Sequence, residues 1–275
     1  MSEPQARGAR WTDEGGTTDE GSARPERAEA ERETLRLVGV GVGPGDPELV
    51  TVRAVRVLRE ADLTLVPVLD VDQPEPGRAE SVVLAYTDRA ERVAFALSDR
   101  GGVTERRAAA WDAAADRVVR AFAAGAETVA FATIGDPNVY STFTYLAQTV
   151  RTRTDGVLIE TVPGITAMQD LAARSGTVLA EGAESLGLVT LTAGAQPFRT
   201  ALESYDTVVA YKFGSVARDI VAALKDAGRL DDAVYGARLG LPGEDVRPAR
   251  DISGPVPYLS TLLVPGRRTT RGGKL

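Results

Sequence analysis

From Leu35 to Val264, short apolar runs ending in glycine- or proline-bearing turns alternate with amphipathic stretches, and this alternation constrains the fold more than any other feature. Leu35–Val42 is apolar and stops at a glycine-rich turn, as a buried strand does. Thr51–Ala61 places Val52, Val55, Leu58 and Ala61 on one helical face. Leu63–Leu69 reads as a second strand. Thr104–Ala124 reads as a long helix with Trp111, Val118 and Phe122 on its apolar side and Gly125 as its stop. Thr128–Ile134 is another buried strand and Asn138–Val150 another helix. This βαβ rhythm predicts a mostly parallel sheet in an N-terminal α/β domain.

Further on, strands are expected near Val157–Val162, Leu188–Thr192, Thr207–Tyr211 and Ala233–Arg238, with helices near Thr166–Ser175 and Ser215–Ala227. The last strand, Tyr258–Val264, has no helix after it, which predicts a mixed sheet in a second α/β domain. The polar, turn-rich Arg151–Gly156 is the expected boundary. The domains then run over 35–152 and 153–268, with a flexible C-terminus over 269–275.

Residues 1–34 contain no Leu, Ile, Val or Phe, so they cannot bury enough apolar surface to offset the entropy of ordering and are expected to be disordered. The segment lacks the apolar run of a secretory signal and is too acidic for an organelle transit peptide. Of the chain's 32 basic and 39 acidic residues, five and nine lie there, which leaves a net charge of −3 on residues 35–275. A nearly balanced folded part is not that of a nucleic-acid or membrane binder, and no apolar stretch reaches the roughly 18 residues that span a bilayer. A soluble, cytoplasmic protein is expected.

The chain has no histidine and no cysteine. That removes Ser-His-Asp and Cys-His catalysis, thiolate zinc sites, disulfides and haem with a His or Cys axial ligand. The reaction must use carboxylates, Lys or Arg, hydroxyls, backbone amides or a cofactor, and cofactor chemistry asks only that the protein bind and orient. No metal site is expected.

Three loops each follow an apolar strand and precede a helix, where open α/β sheets bind ligands. The first, GVGVGPGD (Gly39–Asp46), does not fit a dinucleotide fingerprint. With Gly41 and Gly43 as its first pair the third glycine position is Asp46; with Gly39 and Gly41 it is Pro44. The second is TIGDPNVYST (Thr133–Thr142), where Asp136 can cap the following helix and Pro137 sits where a missing N–H is harmless. The third is VPGITAM (Val162–Met168), with Thr166 as a helix cap. Singly each is a turn; together they predict a shared crevice.

GVGVGPGDPELVT, IGDPNVYSTF, TVPGITAMQDLAA and AYKFG, in this order and spacing, resemble the tetrapyrrole methyltransferases of cobalamin biosynthesis over about residues 35–268. The resemblance implies S-adenosylmethionine bound in a cleft between two α/β domains, a homodimer, and methylation of a porphyrinoid carbon. Uroporphyrinogen III methyltransferases carry an aspartate where this chain has Pro67, in LVPVLD. The VPV signature, GDPNVYSTFTYL and PYLSTLLV (Pro257–Val264) most resemble the branch that methylates C20 of precorrin-2. Metal-free and cobalt-bearing substrates both fit these motifs. A module that binds but does not catalyse is the reading from another class.

Carried over position by position, the resemblance implies cofactor contacts at Pro44, Ile134, Gly135, Asp136, Val139, Thr166, Ala167, Lys212 and Gly240. A tetrapyrrole carries a ring of carboxylates, for which arginine is the better bidentate partner. Candidates near expected strand ends are Arg89, Arg92, Arg106 and Lys212. Tyr140, Ser141 and Thr142 either bond a propionate or open a helix. An electron-rich meso carbon attacks an activated methyl without a strong base, and no catalytic acid or base is assigned.

Overall fold

The computed structural model describes residues 34–95, 102–192, 194–271 and 274. The segment expected to be disordered lies, except for Thr34, outside the described residues. The first domain carries β1 (Arg36–Gly41), α1 (Val52–Glu60), β2 (Leu63–Val68), α2 (Arg78–Val83), β3 (Ala90–Ala94), α3 (Glu105–Ala123), β4 (Thr128–Thr133), α4 (Phe143–Arg151) and β5 (Leu158–Val162). Its five strands are all parallel, in the order β3-β2-β4-β1-β5. Helices α1 and α2 cover one face, burying Ala54, Leu58, Val82 and Val83 against Val38, Val40 and Val66. Helices α3 and α4 cover the other through Val118, Phe122, Phe143 and Leu146. Two covered faces are what a parallel sheet requires.

Helix α1 starts where Thr51 Oγ1 accepts the Ala54 N–H at 3.2 Å, and α3 where Thr104 Oγ1 accepts that of Arg107 at 3.1 Å. Trp111, expected on the core side of α3, is only partly buried and stacks on Tyr145 of α4 at 4.4 Å.

The second domain contains α5 (Ala167–Ser175), β6 (Leu186–Thr190), α6 (Gln196–Ser204), β7 (Thr207–Tyr211), α7 (Ala217–Asp226), β8 (Val234–Ala237), β9 (Asp245–Pro248) and β10 (Ser260–Val264). The strand order is β6-β7-β10-β8-β9, with β6 and β7 parallel and every other pair antiparallel. The mixed sheet follows from β10, which enters the middle of the sheet with no helical crossover. Helices α6 and α7 pack on one face and α5 on the other, where Leu171 meets Val209, Leu239 and Leu263. Among the described residues no helix is long and apolar enough to cross a membrane.

Three expectations need correction. The strand over Val157–Val162, expected to open the second domain, pairs along β1 as the edge of the first sheet. Arg151–Gly156 is therefore a turn before that edge strand, and the chain crosses to the second sheet after Val162. The helix expected from Asn138 begins at Phe143, because Asp136 and Pro137 build a longer loop. Within the supposedly flexible 269–275, Lys274 is tied down: its carbonyl accepts the Ala183 N–H at 2.9 Å and its ammonium pairs with Asp206. Four elements, α2, β3, α6 and β9, lie where none was expected from the sequence. β9, for example, has four half-buried residues and no alternation.

At the junction of the domains, backbone lies against backbone. A Cβ built on Gly41 would stand 2.6 Å from the Gly135 carbonyl oxygen, and one on Gly164 would stand 2.1 Å from the same atom. No flexible side chain can yield there. We expect Gly164→Ala to lower stability by about 2–3 kcal/mol through overpacking, read by urea denaturation.

Candidate functional site

The C-terminal ends of β1, β4 and β5 and those of β7 and β8 face one cleft. Because β10 runs antiparallel to its neighbours, its N-terminal approach, Tyr258–Thr261, reaches the same cleft. Open sheets place ligands at these ends.

The loops are locked to one another by hydrogen bonds. Asp136 Oδ1 accepts the Asn138 N–H at 2.8 Å, and its Oδ2 accepts the Gly164 N–H at 3.0 Å. Asp136 thus staples the second loop to the third, instead of capping a helix as expected. Gly135 donates its N–H to the Gly43 carbonyl at 2.7 Å, closing the first loop on the second. Thr166 is the N-cap of α5, and its N–H and hydroxyl both reach Gln169 Oε1 at 2.9 Å. Tyr211 OH accepts the Met168 N–H at 3.0 Å, and burial pushes its phenol up from the ordinary value.

A second clasp sits behind the first loop. Arg174 reaches Asp170 at 2.9 Å, Glu244 at 2.8 Å and Asp46 at 3.9 Å, so one guanidinium ties α5 to the first loop and to the β8–β9 turn. Burial opposes its charge, but the three carboxylates outweigh it and hold the group above its ordinary value. Beside it the Gly45 and Leu239 backbones meet so closely that a Cβ on Gly45 would lie 2.3 Å from the Leu239 carbonyl.

All three non-glycine residues with positive φ among those described, Tyr140 (52°), Lys212 (59°) and Arg238 (53°), line this cleft. Such backbone is tolerated where surrounding structure over-determines it, at about 1 kcal/mol or more each, and it concentrates at functional sites. The Lys212 ammonium lies 5.5 Å from the Tyr140 ring centroid and 5.9 Å from that of Tyr258. Burial, then the charge of Arg107, lowers its pKa.

Pro44, Ile134, Gly135, Asp136, Val139, Thr166, Ala167 and Lys212 all line the cleft; Gly240 does not, although Leu239 and Leu241 on either side of it do. Of the substrate candidates, the structure brings only Tyr140 and Lys212 here. Ser141 is turned inward, where its hydroxyl bonds Thr133 and accepts the Phe143 N–H, both at 3.1 Å. Thr142 is the N-cap position of α4.

Arg89 precedes β3 and so stands at the opposite end of the sheet. Arg92 is spent on Glu80 at 2.8 Å and on the carbonyls of Val71 and Gln73. Arg106 lies on the first turn of α3, exposed and outside the cleft lining. The cleft's arginines are instead Arg78 and Arg238, which the sequence reading missed. Arg238 ends a recognised strand and could have been found by the strand-end rule. Arg78 follows a Pro- and Gly-rich turn and carried no signal. Among the described residues no group of three acidic side chains converges as a metal site.

The family model for Tetrapyrrole (Corrin/Porphyrin) Methylases matches residues 36–251. The chain belongs to that family. Among tetrapyrrole methylases it is 33% identical to the cobalt-precorrin-2 C(20)-methyltransferase of Salmonella typhimurium, over 83% of this chain and 95% of that one. It is also 33% identical to the precorrin-2 C(20)-methyltransferase of Sinorhizobium sp, over 84% and 95%. The cobalamin biosynthesis protein CobIJ of Mycobacterium bovis is 32% identical over 84% of this chain, which spans only 46% of that protein's length.

Two solved methylases share the fold. A cobalt precorrin-4 methyltransferase superposes with a TM-score of 0.63 at 20% identity, over 85% of this chain and 95% of that one. Uroporphyrin-III C-methyltransferase from Thermus thermophilus, complexed with S-adenosyl homocysteine, gives 0.57 at 23%, over 83% and 96%.

Two variants test how the methylase cleft is held. Asp136→Asn has one acceptor for two backbone N–H groups, so we expect a stability loss of about 1–3 kcal/mol in thermal denaturation. Arg174→Gln leaves three carboxylates uncompensated behind the first loop, and about 2 kcal/mol is expected after allowing for the partial exposure of the site.

Proposed function

We propose that this chain transfers a methyl group from S-adenosylmethionine to C20 of precorrin-2, giving precorrin-3A in cobalamin biosynthesis. The observation that carries this reading is the single cleft on which the three strand-end loops and the Tyr211–Lys212 and Tyr258–Thr261 segments converge. Two relatives named for C20 methylation, each matched over 95% of its length, support the choice of carbon. One is named for the cobalt complex and one for the metal-free substrate, so the cobalt form is the alternative.

The cleft fits the methyl donor. Gly135 has φ 71° and nothing within 4 Å of where a Cβ would project, so the wall is open there to a ligand. Pro44, Ile134–Asp136, Val139, Thr166, Ala167 and Leu239–Leu241 would hold it, mostly through backbone groups and apolar contact. When bound, S-adenosylmethionine supplies a methyl group already activated on a sulfonium, so the protein's task is alignment and exclusion of water.

Asp136 does its part indirectly, by fixing the loops through two N–H bonds. Tyr140 and Tyr258, each about half exposed at the cleft, offer ring faces to a flat macrocycle. Lys212, Arg78 and Arg238 set positive charge around them, suited to a ring of carboxylates. A chain without His or Cys is adequate, because an enamine-like meso carbon attacks without a strong base. The same reading, by resemblance, has the enzyme working in the cytoplasm as a homodimer.

The test offers metal-free precorrin-2 and its cobalt complex separately with S-adenosylmethionine, and looks by mass spectrometry for one added methyl. Methylation of either, blocked in the C20-methylated compound, is expected; methylation of neither overturns the substrate assignment. Calorimetric titration with S-adenosylmethionine checks the enzyme reading separately, and no heat at high protein concentration would sink it. Sedimentation should give about twice the 29.0 kDa chain mass.

A further inference from the structure

We infer that Arg78 and Arg238, one from each domain, form a two-guanidinium site for a single carboxylate group across the cleft. The inference rests on the proposed reading that the cleft takes an acidic tetrapyrrole with a methyl donor.

Both residues line the cleft, Arg78 from the start of α2 and Arg238 from the end of β8. Among the described residues neither has a carboxylate within ion-pairing distance, and three acids close to them in sequence are engaged elsewhere. Glu80 is held by Arg92 at 2.8 Å, Glu244 by Arg174 at 2.8 Å, and Asp245 by Arg247 at 3.3 Å. Burial, then the charge of Arg238, lowers the pKa of Arg78, so the two like charges stand close enough to repel. A half-buried cation without a counter-ion is unfavourable in the free protein, and a second cation beside it makes it more so.

The Arg238 position is also built for its side chain. Its backbone is held at φ 53°, where glycine would be the unstrained choice. Its guanidinium folds over the β8–β9 turn, where a Cβ on Gly243 would meet Nη1 at 2.9 Å. Two forked donors on the lining of one cleft match one carboxylate. That carboxylate comes from an acid side chain of the macrocycle or from the amino-acid end of S-adenosylmethionine.

The experiment compares wild type, Arg78→Gln, Arg238→Gln, the double variant and a remote surface control, Arg56→Gln. Dissociation constants are measured for uroporphyrin III by fluorescence and for S-adenosylmethionine by calorimetry. A rise of tenfold or more for uroporphyrin in each single variant, with the double variant less than threefold worse still, is expected, and it makes the carboxylate the macrocycle's. The same pattern for S-adenosylmethionine alone makes it the methyl donor's and still supports the site. Unchanged binding of both ligands overturns the site, as does an equal loss in Arg56→Gln.

Ligand-free melting separates binding from structure. Relief of repulsion should leave both single variants as stable as wild type or more so, and a drop of several degrees in either overturns the inference. The functional reading stands or falls separately, on the methylation of precorrin-2; if wild type binds no uroporphyrin, the site is tested with a smaller polycarboxylate. Tricarballylate then decides the site: stabilisation of wild type but of neither variant supports it, and no stabilisation of wild type ends it.

Discussion

Everything in this molecule depends on a contact in which side chains take no part. Gly41, Gly135 and Gly164 bring three strand ends together so tightly that one carbonyl oxygen would clash with a methyl group from either of two neighbours. The loops at those ends are therefore short of bulk, and the space they leave is the cleft. Gly45 against Leu239 repeats the device between the first loop and the second domain, with Arg174 supplying a charge clasp behind it. Close backbone approach and a three-carboxylate clasp are complementary. The first fixes distance and the second holds the loops against one another as a set.

Two groups of arginines in this molecule differ in their physics. Arg92, Arg117, Arg153 and Arg174 are each paired with carboxylates and bind pieces of chain together. Arg78 and Arg238 are left without such partners at the cleft. With three lysines among 32 basic residues, composition alone could not separate the two groups. Only the fate of the nearby acids does so: Glu80 and Glu244 are claimed elsewhere, and that leaves the cleft cationic.

Much of this was legible in the sequence because strand-to-helix turns leave strong local marks. Eight of the ten described strands, α1, α3, α5 and α7, and the convergence of the three loops could all be read from apolar periodicity and from Gly, Pro and Thr at element ends. What was not legible depended on distant partners. Val157–Val162 looks the same whether it pairs with β1 or opens a new sheet. Arg92, expected near a strand end, is the middle residue of β3, and its fate is decided by Glu80 on a helix whose six residues show no pattern. Asp136 offers a cap to a helix that starts seven residues later, because Gly164 claims the second carboxylate oxygen.

The placement of β10 has a consequence for how such a chain comes into being. This strand is the last in chain order among the described strands, yet it lies at the centre of the second sheet, between β7 and β8. The first sheet can close as soon as β5 has left the ribosome. The second stays split until residues 260–264 arrive, and the same stretch delivers Tyr258–Thr261 to the cleft. A nascent chain therefore holds a finished half-site for much of its synthesis, but no competent cleft until translation has passed β10.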